Sequence, residues 1–160
     1  MSKKNPPPDR SRARALAMQS IYHWRVGSAD EASVEAHLAD MASGQWEEES
    51  KPRRRAADMT LALDLTRGVM REHATLTEQL SGVLDRPFSG LSQVEAAILL
   101  MAACEMTHCP ETPYRVIINE AIELAKSFGS EEGHRYVNGV LDRLADKLRS
   151  AERSLKQPPV

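Results

Sequence analysis

From Val116 to Ala145 the chain reads VIINEAIELAKSFGSEEGHRYVNGVLDRLA, and this run constrains the fold more than any other part of the sequence. Ile117, Ala121, Leu124, Ala125 and Phe128 recur at helical spacing, and Ile118 and Ile122 widen the apolar face until it nearly surrounds the segment. A helix of that kind is expected near the centre of a domain. Gly129 follows the last apolar residue, where a left-handed C-terminal residue is wanted. Ser130, with Glu131 and Glu132, then supplies an N-cap and first-turn carboxylates for another helix. That helix repeats apolar residues at Val137, Val140, Leu141, Leu144 and Leu148, so the spacing predicts a helical hairpin or corner.

The rest of the chain points the same way. Aromatic residues make up only 4% of it, Ala, Leu, Met and Glu are plentiful, and no alternating strand-like run appears, so the expected fold class is all-α. The 160 residues suit a single domain with a real core. It is expected over residues 10–150, between a basic, proline-rich arm over 1–9 and a polar tail over 151–160. Seven helices are predicted. The first runs from Arg10 to Val26 and is ended by Gly27; the second follows a Ser28/Glu31 capping box and reaches Ala42. The polar stretch from Gly44 to Arg55 reads as a loop. A third helix spans Arg55 to Arg71, and a fourth carries Leu76, Leu80, Val83 and Leu84 before Pro87. The fifth runs from Leu91 to Thr107 behind a Ser92/Glu95 capping box, and the sixth starts from Thr112 as N-cap with Pro113 at its first position. The seventh begins after Ser130.

No apolar run approaches the roughly 18 residues of a membrane span, and the amino terminus lacks the apolar core of a signal peptide, so a cytoplasmic location is expected by default. Cys104 and Cys109 do not suggest a disulfide scaffold in a domain of this size. With His108 they form only a weak zinc pattern, bunched across a helix end without a second pair. Nucleotide-binding glycine loops, H-E-x-x-H and calcium loops are all missing, so neither a metal, a cofactor nor catalysis is expected.

The formal net charge of −2 conceals segregation: residues 1–27 sum to +5 and residues 28–50 to −7. Basic segments of this kind can attract phosphates even in a near-neutral chain, while acidic segments suit a basic partner. Arg10, Arg12 and Arg14 are the first candidates for such contacts. At about 100° per residue, Arg10, Arg14 and Arg25 lie on a flank beside the apolar face, with Tyr22 a little further round, while Arg12 points away. A basic and aromatic flank suits single-stranded RNA, whose phosphates meet guanidinium groups and whose bases stack on rings. A merely solvated helix face carries the same pattern.

The segments RARALAMQSIYHW, INEAIELAKSFG and HRYVNGVL, in that order, resemble the NusB family of transcription antitermination factors over roughly Arg10 to Leu148. The resemblance implies two small helical bundles packed orthogonally. It implies binding of the boxA element of nascent RNA together with the ribosomal protein NusE, within an RNA polymerase antitermination complex serving ribosomal RNA operons. Carried onto this sequence, the RNA-binding set is Lys3, Lys4, Arg10, Arg12, Arg14, Tyr22, Glu132, Arg135 and Tyr136, and Glu95 meets NusE. Local roles compete with several of these: core packing for Tyr136, helix N-terminal placement for Glu132, and the capping box for Glu95. For Arg53 to Arg55 an extension of the RNA surface competes with a solvated junction. Similar domains are fused to ribosomal RNA methyltransferases, but 160 residues leave no room for one here, and a stand-alone factor is expected. A protein-only helical adaptor and an RNA-binding module serving an rRNA-modifying enzyme are the alternatives. Monomer and homodimer both remain open.

Overall fold

The computed structural model describes residues 7–43 and 55–156. Seven α-helices account for most of them: α1 (Arg10–Gly27), α2 (Glu31–Ala42), α3 (Met59–Ser81), α4 (Gln93–His108), α5 (Tyr114–Phe128), α6 (Glu131–Leu148) and α7 (Ser150–Lys156), with a single 3-10 turn at Phe88–Gly90. Among the described residues there is no strand, only an isolated bridge between Asp9 and Ala57. No helix among them is long and apolar enough to cross a membrane.

The helices form two groups around a shared element. Helices α1, α2 and α3 pack on one another, α5 and α6 form the expected corner, and α4 touches α1, α3, α5 and α6. Every residue of α4 from Ala96 to Met106 is buried, Glu105 included, so the helix is enclosed on all sides as a central helix is. This differs from the sequence reading, which puts the helix at Tyr114–Phe128 in the middle. Helix α5 is one-sided: Ile117, Ile118, Ala121, Leu124 and Ala125 are buried, while Phe128 is 45% exposed.

The helix count agrees with expectation, but the division does not. The expected third and fourth helices are one helix, α3, bent at Glu72 (φ −112°, ψ 22°). No proline or glycine lies at the bend to end the helix, and the Glu72 carboxylate is paired with His108 at the end of α4. The seventh helix is instead α7, in the segment expected to be a polar tail.

Caps differ in detail. Ser92 and Ser130 cap α4 and α6 as predicted, accepting from the backbone N–H groups of Glu95 and Gly133 at 3.1 and 3.2 Å. Helix α2 is capped by Asp30 rather than Ser28. Gly27 remains helical, and Ser28 takes the left-handed conformation that ends α1 (φ 53°). Gly129 is extended rather than left-handed (φ −113°, ψ −161°). It is needed for space instead, since a Cβ there would stand 2.8 Å from the Ala125 carbonyl oxygen. Thr112 does not cap α5; Pro113 takes that position without a side-chain bond, and the Tyr114 N–H donates to Glu152 of α7 at 3.1 Å.

Candidate nucleic-acid interface

Asp9 caps α1 by accepting from the Arg12 N–H at 2.9 Å, which fixes where the arginines of the first turns stand. Arg10 is exposed, and its Nη2 donates to Thr112 Oγ1 at 3.2 Å. Arg12 is half-buried, with Nη1 donating to the carbonyl of Arg55 at 3.3 Å. Arg14 is a correction to the sequence reading: it is only 3% exposed and forms a two-point ion pair with Glu105, itself 0% exposed, at 2.8 and 2.7 Å. Its guanidinium is committed to that pair, on the inner wall of a hollow that Arg10 also lines. Arg25 also turns away from a shared basic flank, donating to Gln93 Oε1 at 2.8 Å and lying over the Phe88 ring. Lys3 and Lys4 lie outside the described residues.

Helices α1 and α5 approach one another at two places. Ser11 at the start of α1 donates to Glu120 in the middle of α5 at 2.8 Å, and Tyr22 and Phe128 line one hollow of about 360 Å³ towards the helices' ends, with Met18, His23 and Val94. Glu120 therefore ties α5 to the first turn of α1. The rings of Tyr22 and Phe128 are 39% and 45% exposed. From Arg10 to Tyr22 is about 18 Å along a helix, so the arginines and the rings occupy opposite ends of one strip. Sequence reasoning misses Phe128 as a surface residue because its spacing matches the core face. It is the last residue of α5, one position before Gly129 and beyond Leu124 and Ala125, the last residues of the helix that are buried.

The chain turns at Gly129 and starts α6 next to that end of the strip. Glu132 and Arg135 are exposed, and Tyr136 is half-buried. The Tyr136 hydroxyl donates to Asp85 Oδ1 at 3.1 Å, and the Arg86 guanidinium lies 4.2 Å over its ring. Partial burial, and then the bond to Asp85, push the Tyr136 phenol above its ordinary pKa, so it stays a neutral donor. The same bond, followed by Arg86, holds the Asp85 carboxyl below its usual range. Tyr136 is thus neither a core ring nor a free one.

Glu95 is half-buried where α4 meets α6. Its N–H is capped by Ser92, and a Cβ at Gly133 would stand 3.1 Å from its Oε1. The glycine therefore lets the carboxylate lie against the first turn of α6, where helix N–H groups favour negative charge. Capping geometry and a partly exposed carboxylate coexist at this residue.

Burial dominates the cysteines. The Cys104 thiol is buried and pushed up to about 12 by desolvation first, reinforced by nearby negative charge including Glu72 and Glu105. An activated nucleophile needs the opposite shift.

The sequence model of the NusB family matches residues 11–146. Transcription antitermination protein NusB from Burkholderia mallei is 50% identical over 143 residues, covering 89% of this chain and 92% of that protein. The NusB protein of Burkholderia thailandensis is similar to the same extent. Among solved structures, T. maritima NusB superposes with a TM-score of 0.70 at 26% identity, over 90% of this chain and 94% of its own. A chain from a complex of antitermination factors NusB and NusE with double-stranded RNA superposes with a TM-score of 0.72 at 17% identity, covering 86% of this chain and 96% of that one. The last of these is a likeness of fold.

Proposed function

Because the chain belongs to the NusB family, we propose that it acts in transcription antitermination by binding boxA-type single-stranded RNA jointly with the ribosomal protein NusE. The observation that carries this reading is the α1/α5 strip, with Arg10 and Arg12 at one end and the exposed rings of Tyr22 and Phe128 at the other, beside Glu132, Arg135 and Tyr136. Guanidinium groups neutralise phosphates without reading sequence, whereas rings stack on unpaired bases. One extended strand can use both in succession. Glu95 and the acidic balance of the central segments suit a basic ribosomal protein. Assembly of the RNA, NusE and this chain on RNA polymerase is then the function, with no chemical step required of the side chains.

The test is a titration of boxA-like RNA with and without NusE at several salt concentrations. Tight binding that depends on NusE and weakens steeply with salt is expected. Absence of RNA binding in both conditions would favour a protein-only adaptor. Arg10→Ala combined with Arg12→Ala should flatten the salt slope by about 0.7 for each phosphate of the single strand that is no longer neutralised.

Tyr136 separates stacking from hydrogen bonding. Tyr136→Phe keeps the ring and loses the bond to Asp85, so RNA affinity should stay within about two-fold, since the ring face provides the stacking. Tyr136→Ala should weaken binding by about 1–3 kcal/mol. Equal losses in the two variants, measured by fluorescence anisotropy, would show that the ring does not stack on RNA.

A further inference from the structure

We propose that Arg55, in the segment leading into α3, is a further contact for the RNA backbone, acting in one cluster with Arg10 and Arg12. The inference rests on the reading that the start of α1 meets RNA. Arg12 and Arg55 are 43 residues apart in sequence, yet Arg12 Nη1 donates to the Arg55 carbonyl at 3.3 Å. The short parallel bridge holds them together: Asp9 N–H donates to the Ala56 carbonyl at 2.8 Å, and Asp58 N–H donates back to the Asp9 carbonyl at 3.0 Å. Each of these aspartates also caps the helix it precedes, so α1 and α3 start from one joined point.

Most carboxylates around this point are committed to other partners. The carboxylates of Asp9 and Asp58 accept helix N–H groups, from Arg12 at 2.9 Å and Leu61 at 3.1 Å. Glu120 is engaged by Ser11 and faces Arg14. A hollow of about 410 Å³ opens here between Pro7, Arg10, Arg55, Thr112 and Val116, with Glu111 as the remaining carboxylate on its wall. Arg55 is exposed, and Nη1 donates to the Pro7 carbonyl at a long 3.4 Å. A guanidinium carries five N–H donors, so this bond leaves capacity for two-point binding of a phosphate. Arg10 and Arg55 line this hollow together and Arg12 is held to the Arg55 backbone, so a phosphate entering here meets guanidinium groups from both α1 and the segment before α3. Double-stranded or protein partners are less suited, because the rings that continue the strip call for unpaired bases.

The experiment measures binding of boxA-like RNA, with NusE present, across a salt series for the wild type, Arg10→Ala, Arg55→Ala and Arg55→Lys, and for Arg55→Ala in a chain lacking residues 2–6. Arg55→Ala should flatten the slope by about 0.7 and weaken binding about five-fold near 0.1 M salt. Arg55→Lys should keep the slope, and thermal midpoints should not move. The loss should persist without residues 2–6, because Arg55 meets phosphate itself and does not merely tether the arm. A wild-type slope in Arg55→Ala, alongside a flattened slope in Arg10→Ala, would overturn this inference alone. A loss that disappears in the shortened chain would overturn it too, by showing that Arg55 only tethers the arm. If the wild type fails to bind RNA at all, the functional reading falls first and this inference with it.

Discussion

Glu105→Ala is expected to lower stability by about 3–5 kcal/mol, the usual cost of breaking a buried ion pair from one side. Arg14 and Glu105 are 3% and 0% exposed and joined by two hydrogen bonds of 2.8 and 2.7 Å between α1 and α4. Burial works against the Arg14 charge, but the bonds and charge of Glu105, aided by Glu120, outweigh it and raise the guanidinium pKa above its ordinary value. Removing Glu105 leaves a cation in the core with only the more distant Glu120, 3.9 Å from Nη1. In a chain of this size the thermal midpoint should drop by about 6–20 °C. The cost is that of an orphaned charge, so replacing both residues by Met and Leu should recover most of it.

The same pair separates structure from recognition. Arg14→Ala should lower the urea midpoint strongly while leaving the salt slope of RNA binding unchanged, when binding is measured well below the melting temperature. Arg10→Ala should do the reverse. An Arg14→Ala protein of wild-type stability with a flattened slope would refute the assignment of Arg14 to the core.

Arg149→Ala should be nearly as damaging, by about 3 kcal/mol or more, because several buried carbonyls lose their donor at once. This residue ends α6 at 8% exposure, and its guanidinium donates to the carbonyls of Met106, Cys109 and Thr112 at 3.0, 2.9 and 3.0 Å, and to Glu152 at 2.6 Å. The Met106 carbonyl would normally be satisfied by the N–H four residues on, but that residue is Pro110, which has none. Arg149 supplies the missing donor. Without it, buried carbonyls go unpaired at about 1–3 kcal/mol each.

Arg149→Lys should restore little, because an ammonium cannot reproduce a planar fork aimed at several carbonyls. Glu152→Ala should cost less, about 1–3 kcal/mol, by removing the acceptor for the Tyr114 N–H and the carboxylate paired with Arg149, whose carbonyl partners remain. Urea denaturation of the three variants checks the order. If Arg149→Ala unfolds at the wild-type midpoint, the α4/α5 corner is held by something else.

Elements with local causes are legible in the sequence. Ser92 and Ser130 cap because the N–H groups they serve lie three residues away, and the apolar spacing of α5 and α6 follows from helix geometry. Around Glu72 the residues are polar and read as a break between two helices. The helix continues there, with His108 of α4 paired to Glu72, 36 residues away in sequence. The α7 segment reads as a tail since most of its residues are polar; Glu152 gains its role only by bonding at the start of α5.

The candidate site divides along the same line. The sequence by itself determined the helical class, the family, and the presence of arginines and rings on and around the first helix and the α5/α6 corner, because periodicity and motif order are properties of neighbouring residues. Only the tertiary structure decided which of them face water. Arg10 and Arg14 lie one helical turn apart on the same flank, yet Arg14 meets Glu105, 91 residues away, and is withdrawn into the core. Arg55 is brought to Arg12 by the Asp9–Ala57 bridge, and Phe128 is left exposed where the core packing of α5 ends. Burial of a charge or a ring depends on which partner the chain brings to it from far along the sequence, and helical spacing carries no information about that partner.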